Sequence, residues 1–160
     1  MEGCETLSSA IDGAVRGSVG GKDVAVAFSG GLDSGIVAGM VKKHASSATL
    51  YTAGVSGAYD VSESESAAKL LNMQWRHLLI TDADLLECVA DMVRITGTKS
   101  PVTLSFEIPL YYVSKHCRED IIVGGQGADE LFAGFSKYMG LDEAGLKEAM
   151  GADMAKLMNQ

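Results

Sequence analysis

The stretch from Asp23 to His44 sets the narrowest limits on what this chain can become. Asp23 to Phe28 reads Asp-Val-Ala-Val-Ala-Phe, a short apolar run rich in β-formers. Such a run marks a strand buried on both faces of a parallel sheet. It leads directly into Ser29-Gly30-Gly31-Leu32-Asp33-Ser34, beyond which Ile36, Val37, Met40 and Val41 keep helical spacing up to His44. A strand, a glycine-rich turn and a helix in that order make the first half of a strand–crossover–strand unit, so further parallel strands are required to complete it.

The rest of the chain supplies them. Ala48 to Gly54 and Trp75 to Ile80 read as a second and third strand, and Asp120 to Val123 as a fourth. Between them lie helical patterns. One spans Asp60 to Leu71, with Asp60 or Ser62 as its N-cap. Another is capped by Thr81 or Asp82 and carries Leu85, Leu86, Val89, Met92 and Val93. A third spans Thr103 to Cys117, its start marked by Pro101 and a kink or restart expected near Pro109. Ahead of the first strand, Leu7, Ile11 and Val15 share a face of a helix from Glu5 to Arg16, which Gly17 to Gly21 should break. After the fourth strand comes a second glycine-rich loop, Gly124-Gly125-Gln126-Gly127-Ala128-Asp129-Glu130, and then a helical tail from Leu141 to Gln160. In that tail Leu146, Met150, Met154 and Leu157 line one side. The tail's Met139, Met150, Met154 and Met158 cover the core by default, with a second subunit as the alternative. The alternation predicts a doubly wound parallel α/β sheet with helices on both faces, built by residues 1–160 as one domain.

Composition removes several function classes. A net charge of −8 opposes a broad nucleic-acid footprint, which needs a basic face. It does not oppose phosphate, because backbone amides bind phosphate without side-chain charge. No apolar run approaches the ~18 residues of a membrane span. Cys4, Cys88 and Cys117 are scattered without a CxxC pair, as reduced structural thiols are, and Met1 to Glu5 lacks a signal-peptide pattern; both point to the cytoplasm. His44, His77 and His116 have no metal-ligand spacing and read as structural or surface residues.

Both glycine-rich loops follow a strand, which puts them at the carboxyl edge of the sheet, where doubly wound folds bind ligands. Gly30 and Gly31 let oxygen atoms approach the backbone amides. Ser29 and Ser34 add hydroxyl donors, and the helix that follows presents free N–H groups to an anion. A carboxylate such as Asp33 belongs in a phosphate loop when it holds Mg²⁺, which bridges it to nucleotide oxygens. The spacing is neither GxxxxGK(S/T) nor GxGxxG. The plainer alternative is a serine–glycine turn with Asp33 or Ser34 capping the helix.

Ser29-Gly30-Gly31-Leu32-Asp33-Ser34 after an apolar strand resembles the PP-loop of the N-type ATP pyrophosphatases, whose fold is adenine nucleotide alpha-hydrolase-like. The second loop, continuing through Leu131-Phe132-Ala133-Gly134-Phe135, resembles the second signature of the asparagine synthetase synthetase-domain. Asp60, Ala67, Ala68 and Ile108-Pro109-Leu110-Tyr111-Tyr112 keep the same family's order. The resemblance spans about Asp23 to Tyr138. It implies an ATP- and Mg²⁺-dependent, AMP-forming ligase or amidotransferase that activates a carboxylate or amide oxygen and releases pyrophosphate. It further implies Asp33 and Asp129 as metal ligands, Ser29, Gly30, Gly31 and Ser34 as phosphate-holding residues, and Ala53 and Gly125 near the adenine and ribose. Glu130 is either a further acidic contributor or a helix cap, and capping is open for Asp129 too.

The likeness also has departures. Gln126 stands where that family usually has a glutamate that handles a proton during ammonia attack, and glutamine only hydrogen-bonds. The catalytic set implied is therefore Asp33, Asp129 and Gln126, with the acceptor left open. Lys22 and Lys137 are the cations nearest the loops and read as solvated surface lysines. No amino-terminal glutaminase is expected, so ammonia comes free or from a partner subunit, and a homodimer is a second possibility. Two rival readings follow: an adenine-nucleotide-binding module without turnover, and, more weakly, a tRNA-modifying PP-loop enzyme, which the negative charge opposes.

Overall fold

The computed structural model describes residues 2–158, with side chains from Thr6 onward. The thiol of Cys4, the reading of Met1 to Glu5, and the tail's Asn159 and Gln160 lie outside the described residues. The chain gathers into two compact units, Met1–Gly124 and Gly125–Gln160.

In the first unit, strands β1 (Asp23–Ala27), β2 (Ser47–Gly54), β3 (Gln74–Leu79) and β4 (Ile121–Gly124) form one sheet in the order β3-β2-β1-β4. Every pairing is parallel. Alternation along the strands divides the core. Val24 and Val26 of β1 and Leu50 of β2 point to one face, where they meet Val19 of α1 (Glu2–Val19), Ala38 and Val41 of α2 (Leu32–His44), and Ala68 of α3 (Tyr59–Leu71). Ala25 and Tyr51 point to the other and meet Val113 of α5 (Pro101–His116). Ile80 belongs to a further cluster, in which Cys88 and Met92 of α4 (Asp82–Thr96) pack on Leu104, Ile108 and Tyr112 of α5. Each buried Val or Leu contributes about 1.5–3 kcal/mol, against about 0–1 kcal/mol for a surface ion pair, so these faces hold the sheet together.

The predicted strands are all present, their ends within a residue of expectation. The helices differ in three ways, at α1, α3 and α5. The first runs unbroken past Gly17 to Val19, because Val15 packs on the core and Val19 is completely buried in it. That burial outweighs the roughly 1 kcal/mol a glycine costs a helix. Neither Asp60 nor Ser62 caps α3; Ala58 is the N-cap and no side chain bonds there. Thr81 does cap α4, in a reciprocal pair with Asp84. The fifth helix neither restarts nor ends at Pro109 and is continuous from Pro101, with Ser100 as its cap.

The second unit consists of α6 (Ala128–Phe132), a short 3₁₀ turn at Ser136–Tyr138, and α7 (Glu143–Met158). No residue of α7 is buried, and Met139 and Met158 are 82% and 77% exposed. Leu146, Met150, Met154 and Leu157, which line one side of the helix, are half-buried.

Candidate functional site

Ala27, the last residue of β1, is paired with Gly124, the last residue of β4. The first loop therefore leaves the sheet beside the point where the chain enters the second. From β1 the chain moves outward on one side through β2 and β3, while β4 lies on the other. That is the switch point at which doubly wound sheets form a ligand crevice.

The first loop is braced from within. Gly31 donates its N–H to Oγ of Ser29 at 3.3 Å. The two serine hydroxyls are 3.1 Å apart, and that of Ser34 donates to the Gly31 carbonyl at 3.2 Å. With Ser34 donating there, Ser29 is the donor to Ser34, and the chain of bonds returns to the residue where it began. Each bond polarises the next. The Ser34 side chain is buried and its work is internal, whereas Ser29 and Asp33 are exposed. No side chain caps α2, whose N-cap is Gly31. The plainer reading of Asp33 or Ser34 as a helix cap is not what the loop does. The first-turn amides of α2 have no acceptor within the helix, and they carry its positive end.

Gly30 is held against α3. Its φ is +80°, and a Cβ there would lie 2.8 Å from Cα of Ser64 and 2.9 Å from its nitrogen. Only glycine fits that backbone contact. Ser64 is completely buried, its hydroxyl donating to the Val61 carbonyl at 2.9 Å. Behind the loop, Thr52 donates to the Phe28 carbonyl at 2.6 Å and accepts from the Trp75 indole N–H at 2.9 Å. None of Ser64, Thr52 and Trp75 is marked by any motif. Ala53, expected near the adenine and ribose, is half-buried beside the Tyr51 and Ile80 clusters.

The second loop, taken by itself, is shaped by two glycines. Gly127 has φ +88° and would bring a Cβ to 3.1 Å from Leu157 of α7. A Cβ on Gly134 would fall 1.9 Å from Oδ1 of Asp129. The Asp129 carboxylate thus occupies the space a side chain at 134 would need. Gly127 is the N-cap of α6 and no side chain bonds there, so neither Asp129 nor Glu130 acts as its cap. Gln126 is exposed and Gly125 half-buried.

Lys137 is exposed, as expected of a surface lysine, but it is also paired. Its Nζ is 2.5 Å from Oδ2 of Asp153 and lies 4.7 Å from the Phe135 ring centroid. Tyr138 donates to the same carboxylate oxygen at 2.7 Å. These bonds, Lys137 first, hold the Asp153 carboxyl down at about 2. Burial and the Asp153 bond push the Tyr138 phenol up to about 12. The histidines are structural: His44 pairs with Asp12 at 2.9 Å, and His77 and His116 bond the Gly54 and Tyr112 carbonyls.

Among the described residues, no group of three or more His, Cys, Asp or Glu side chains is placed to hold a metal. A cation at the first loop would have to draw most of its ligands from phosphate oxygens and water. Mg²⁺ fits that donor set, since it is bound through one or two carboxylates plus substrate phosphates. A cleft of about 410 Å³ lined by Lys22, Asp23, Arg118 and Asp120 opens at the amino ends of the strands, away from the loops. No described helix is long and apolar enough to cross a membrane.

A parallel doubly wound sheet with a braced glycine–serine loop at its switch point defines an α/β protein built to receive an anionic ligand. The chain belongs to the asparagine synthase family, whose model matches residues 6–155. It is 30% identical over 141 residues to a protein of Methanocaldococcus jannaschii named as a glutamine-hydrolysing asparagine synthetase, covering 86% of this chain and 26% of that one. Asparagine synthetase B of Escherichia coli is 24% identical over 127 residues, covering 69% and 23%. The chain thus spans about a quarter of the length of these curated relatives. Among solved structures, the NH3-dependent NAD synthetase of Campylobacter jejuni superposes with a TM-score of 0.51 at 15% identity, over 82% of this chain and 60% of that one. That likeness supports the fold.

Proposed function

We propose that this chain binds ATP with Mg²⁺ and works as an AMP-forming ligase or amidotransferase region, activating a carboxylate or amide oxygen with release of pyrophosphate. The observation that carries this reading is the first loop: uncapped helix amides, a glycine pressed onto α3 and an exposed carboxylate, at the end of β1 beside β4. Family membership supports it. The amides at the start of α2 hold phosphate oxygens, and the serine ring keeps those amides in place. Asp33 and, on the second loop, Asp129 are the proposed Mg²⁺ ligands. When bound, Mg²⁺ supplies charge neutralisation of the departing pyrophosphate. Ala53 and Gly125 are proposed to lie near the nucleoside. The acceptor is a small molecule, aspartate being the resemblance's commonest choice, with ammonia taken free or from a partner subunit. The scattered cysteines, without a CxxC pair, favour the cytoplasm.

A second reading is favoured by two observations, Gln126 in place of a carboxylate and the engagement of Lys137 with Asp153. Under it the chain binds adenine nucleotide without turnover. Pyrophosphate release with any carboxylate acceptor would sink this second reading.

Calorimetric titration with ATP, with and without Mg²⁺, tests the proposal. Mg²⁺-dependent binding should fall at least tenfold, about 1.4 kcal/mol, in Asp33→Asn and in Asp129→Asn. Wild-type binding that both variants retain would remove both carboxylates from the site. No binding by the folded wild type would overturn the proposal.

A further inference from the structure

Behind the first loop, one buried hydroxyl joins three strands far apart in sequence. Thr52 of β2 is 4% exposed. Its Oγ1 donates to the Phe28 carbonyl at 2.6 Å and accepts from Nε1 of Trp75, in β3, at 2.9 Å. The hydroxyl has one proton, and Phe28 takes it; Trp75 has only a donor to offer, so the direction of the relay is fixed. Phe28 also donates its N–H to the Tyr51 carbonyl at 2.9 Å. Its peptide groups are therefore held on both sides although β1 has ended at Ala27. Ser29 follows directly, so the relay ends at the hinge from which the phosphate loop departs. His77 stacks on Trp75 with centroids 6.2 Å apart and interplanar angle 12°, and bonds the Gly54 carbonyl at 3.0 Å. Trp75 is thereby fixed in orientation.

Packing alone does not call for a threonine here. Valine has nearly the same shape and suits a buried strand better, but it would leave the buried Phe28 carbonyl without its donor and the partly buried indole N–H without its acceptor. From this geometry we propose that Thr52 is a positioning residue for the phosphate loop, setting the departure of Ser29 and Gly30 from β1 through the Phe28 carbonyl, with Trp75 locking its rotamer. The proposal deepens the nucleotide-binding reading and rests on it for its purpose, but the positioning itself is measurable without nucleotide.

The test is amide hydrogen exchange across residues 29–35 of the nucleotide-free chain, with calorimetric ATP affinity alongside. Thr52→Val should speed exchange in that segment about tenfold while Val24 to Val26 stay protected, and Thr52→Ser, which restores the hydroxyl, should return it to within about threefold of wild type. Mg²⁺-dependent ATP affinity should follow the same order. Unchanged loop exchange in a folded Thr52→Val chain, or no recovery in Thr52→Ser, would overturn the proposal. If Thr52→Val does not fold, the wild type decides: the Trp75 indole proton should exchange far more slowly than an exposed indole, and an unprotected proton would overturn the relay. A wild type that shows the expected exchange pattern but binds no ATP would defeat the nucleotide reading and leave the relay standing.

Discussion

A methyl group at position 134 would sit 1.9 Å from Oδ1 of Asp129 and 3.1 Å from its Cα, so alanine cannot enter unless the carboxylate moves. The backbone at Gly134 does not need the left-handed region, in contrast to Gly127 at φ +88°. The cost of Gly134→Ala therefore falls first on the Asp129 carboxylate, with a smaller adjustment at its Cα. If Asp129 is a metal ligand, Gly134→Ala should weaken Mg²⁺-dependent ATP binding about tenfold, close to the effect of Asp129→Asn. The Gly134→Ala, Asp129→Asn double variant should then be little worse than either single one, since both remove the same placed carboxylate. Calorimetry on the three variants checks this. Fully additive losses would show that Gly134 acts elsewhere.

At the scale of elements, α7 and the 3₁₀ turn before it are joined by the Lys137 and Tyr138 contacts to Asp153, which Lys156 also approaches from within α7. The Asp153 carboxyl is lowered from 3.8 to about 2 in the folded chain. Its contribution to stability is full above the unfolded value and is lost as pH falls from about 4 through about 2. We expect the second unit to loosen in that window before the first, seen as early loss of amide protection in residues 143–158. Asp153→Asn should show the same loosening already at pH 7. Identical protection in the variant would leave α7 held by its apolar contacts alone. Strand positions were legible to within a residue because each apolar run is short, β-rich and bounded by glycine or a cap. The end of α1 was not, because what carries it across Gly17 is the burial of Val19 against strands that come later in the chain. The uninterrupted α5 was missed for a related reason: Ile108 and Tyr112 are buried on either side of Pro109, and the local rule for proline carries no knowledge of that packing. Of the candidate site, the two loops were readable as motifs. Thr52, Ser64 and Trp75 were not, since they reach the first loop only through sheet register and helix placement.

For the molecule as a whole, the two compact units make a single unfolding midpoint an unsafe quantity. The chain offers a way around this. Trp75 is its one tryptophan, and it belongs to the first unit, packed on that unit's core and bonded to Thr52 behind the phosphate loop. Its emission on heating therefore reports the unfolding of residues 1–124 without interference from the other unit. A ligand that binds only the folded state at 100 times its Kd stabilises by about 2.7 kcal/mol. For a unit of this size that is a rise in midpoint on the order of 10 °C. Saturating ATP with Mg²⁺ should produce that rise in the Trp75 transition, ATP without Mg²⁺ a smaller one, and Asp33→Asn should abolish the difference between them. The net charge of −8 sharpens the comparison, because ATP has no broad basic surface to be drawn to and non-specific stabilisation should be slight. A rise that survives in Asp33→Asn would place ATP on the first unit without its carboxylate. No rise at all would mean that the first loop, however well braced, does not hold the nucleotide.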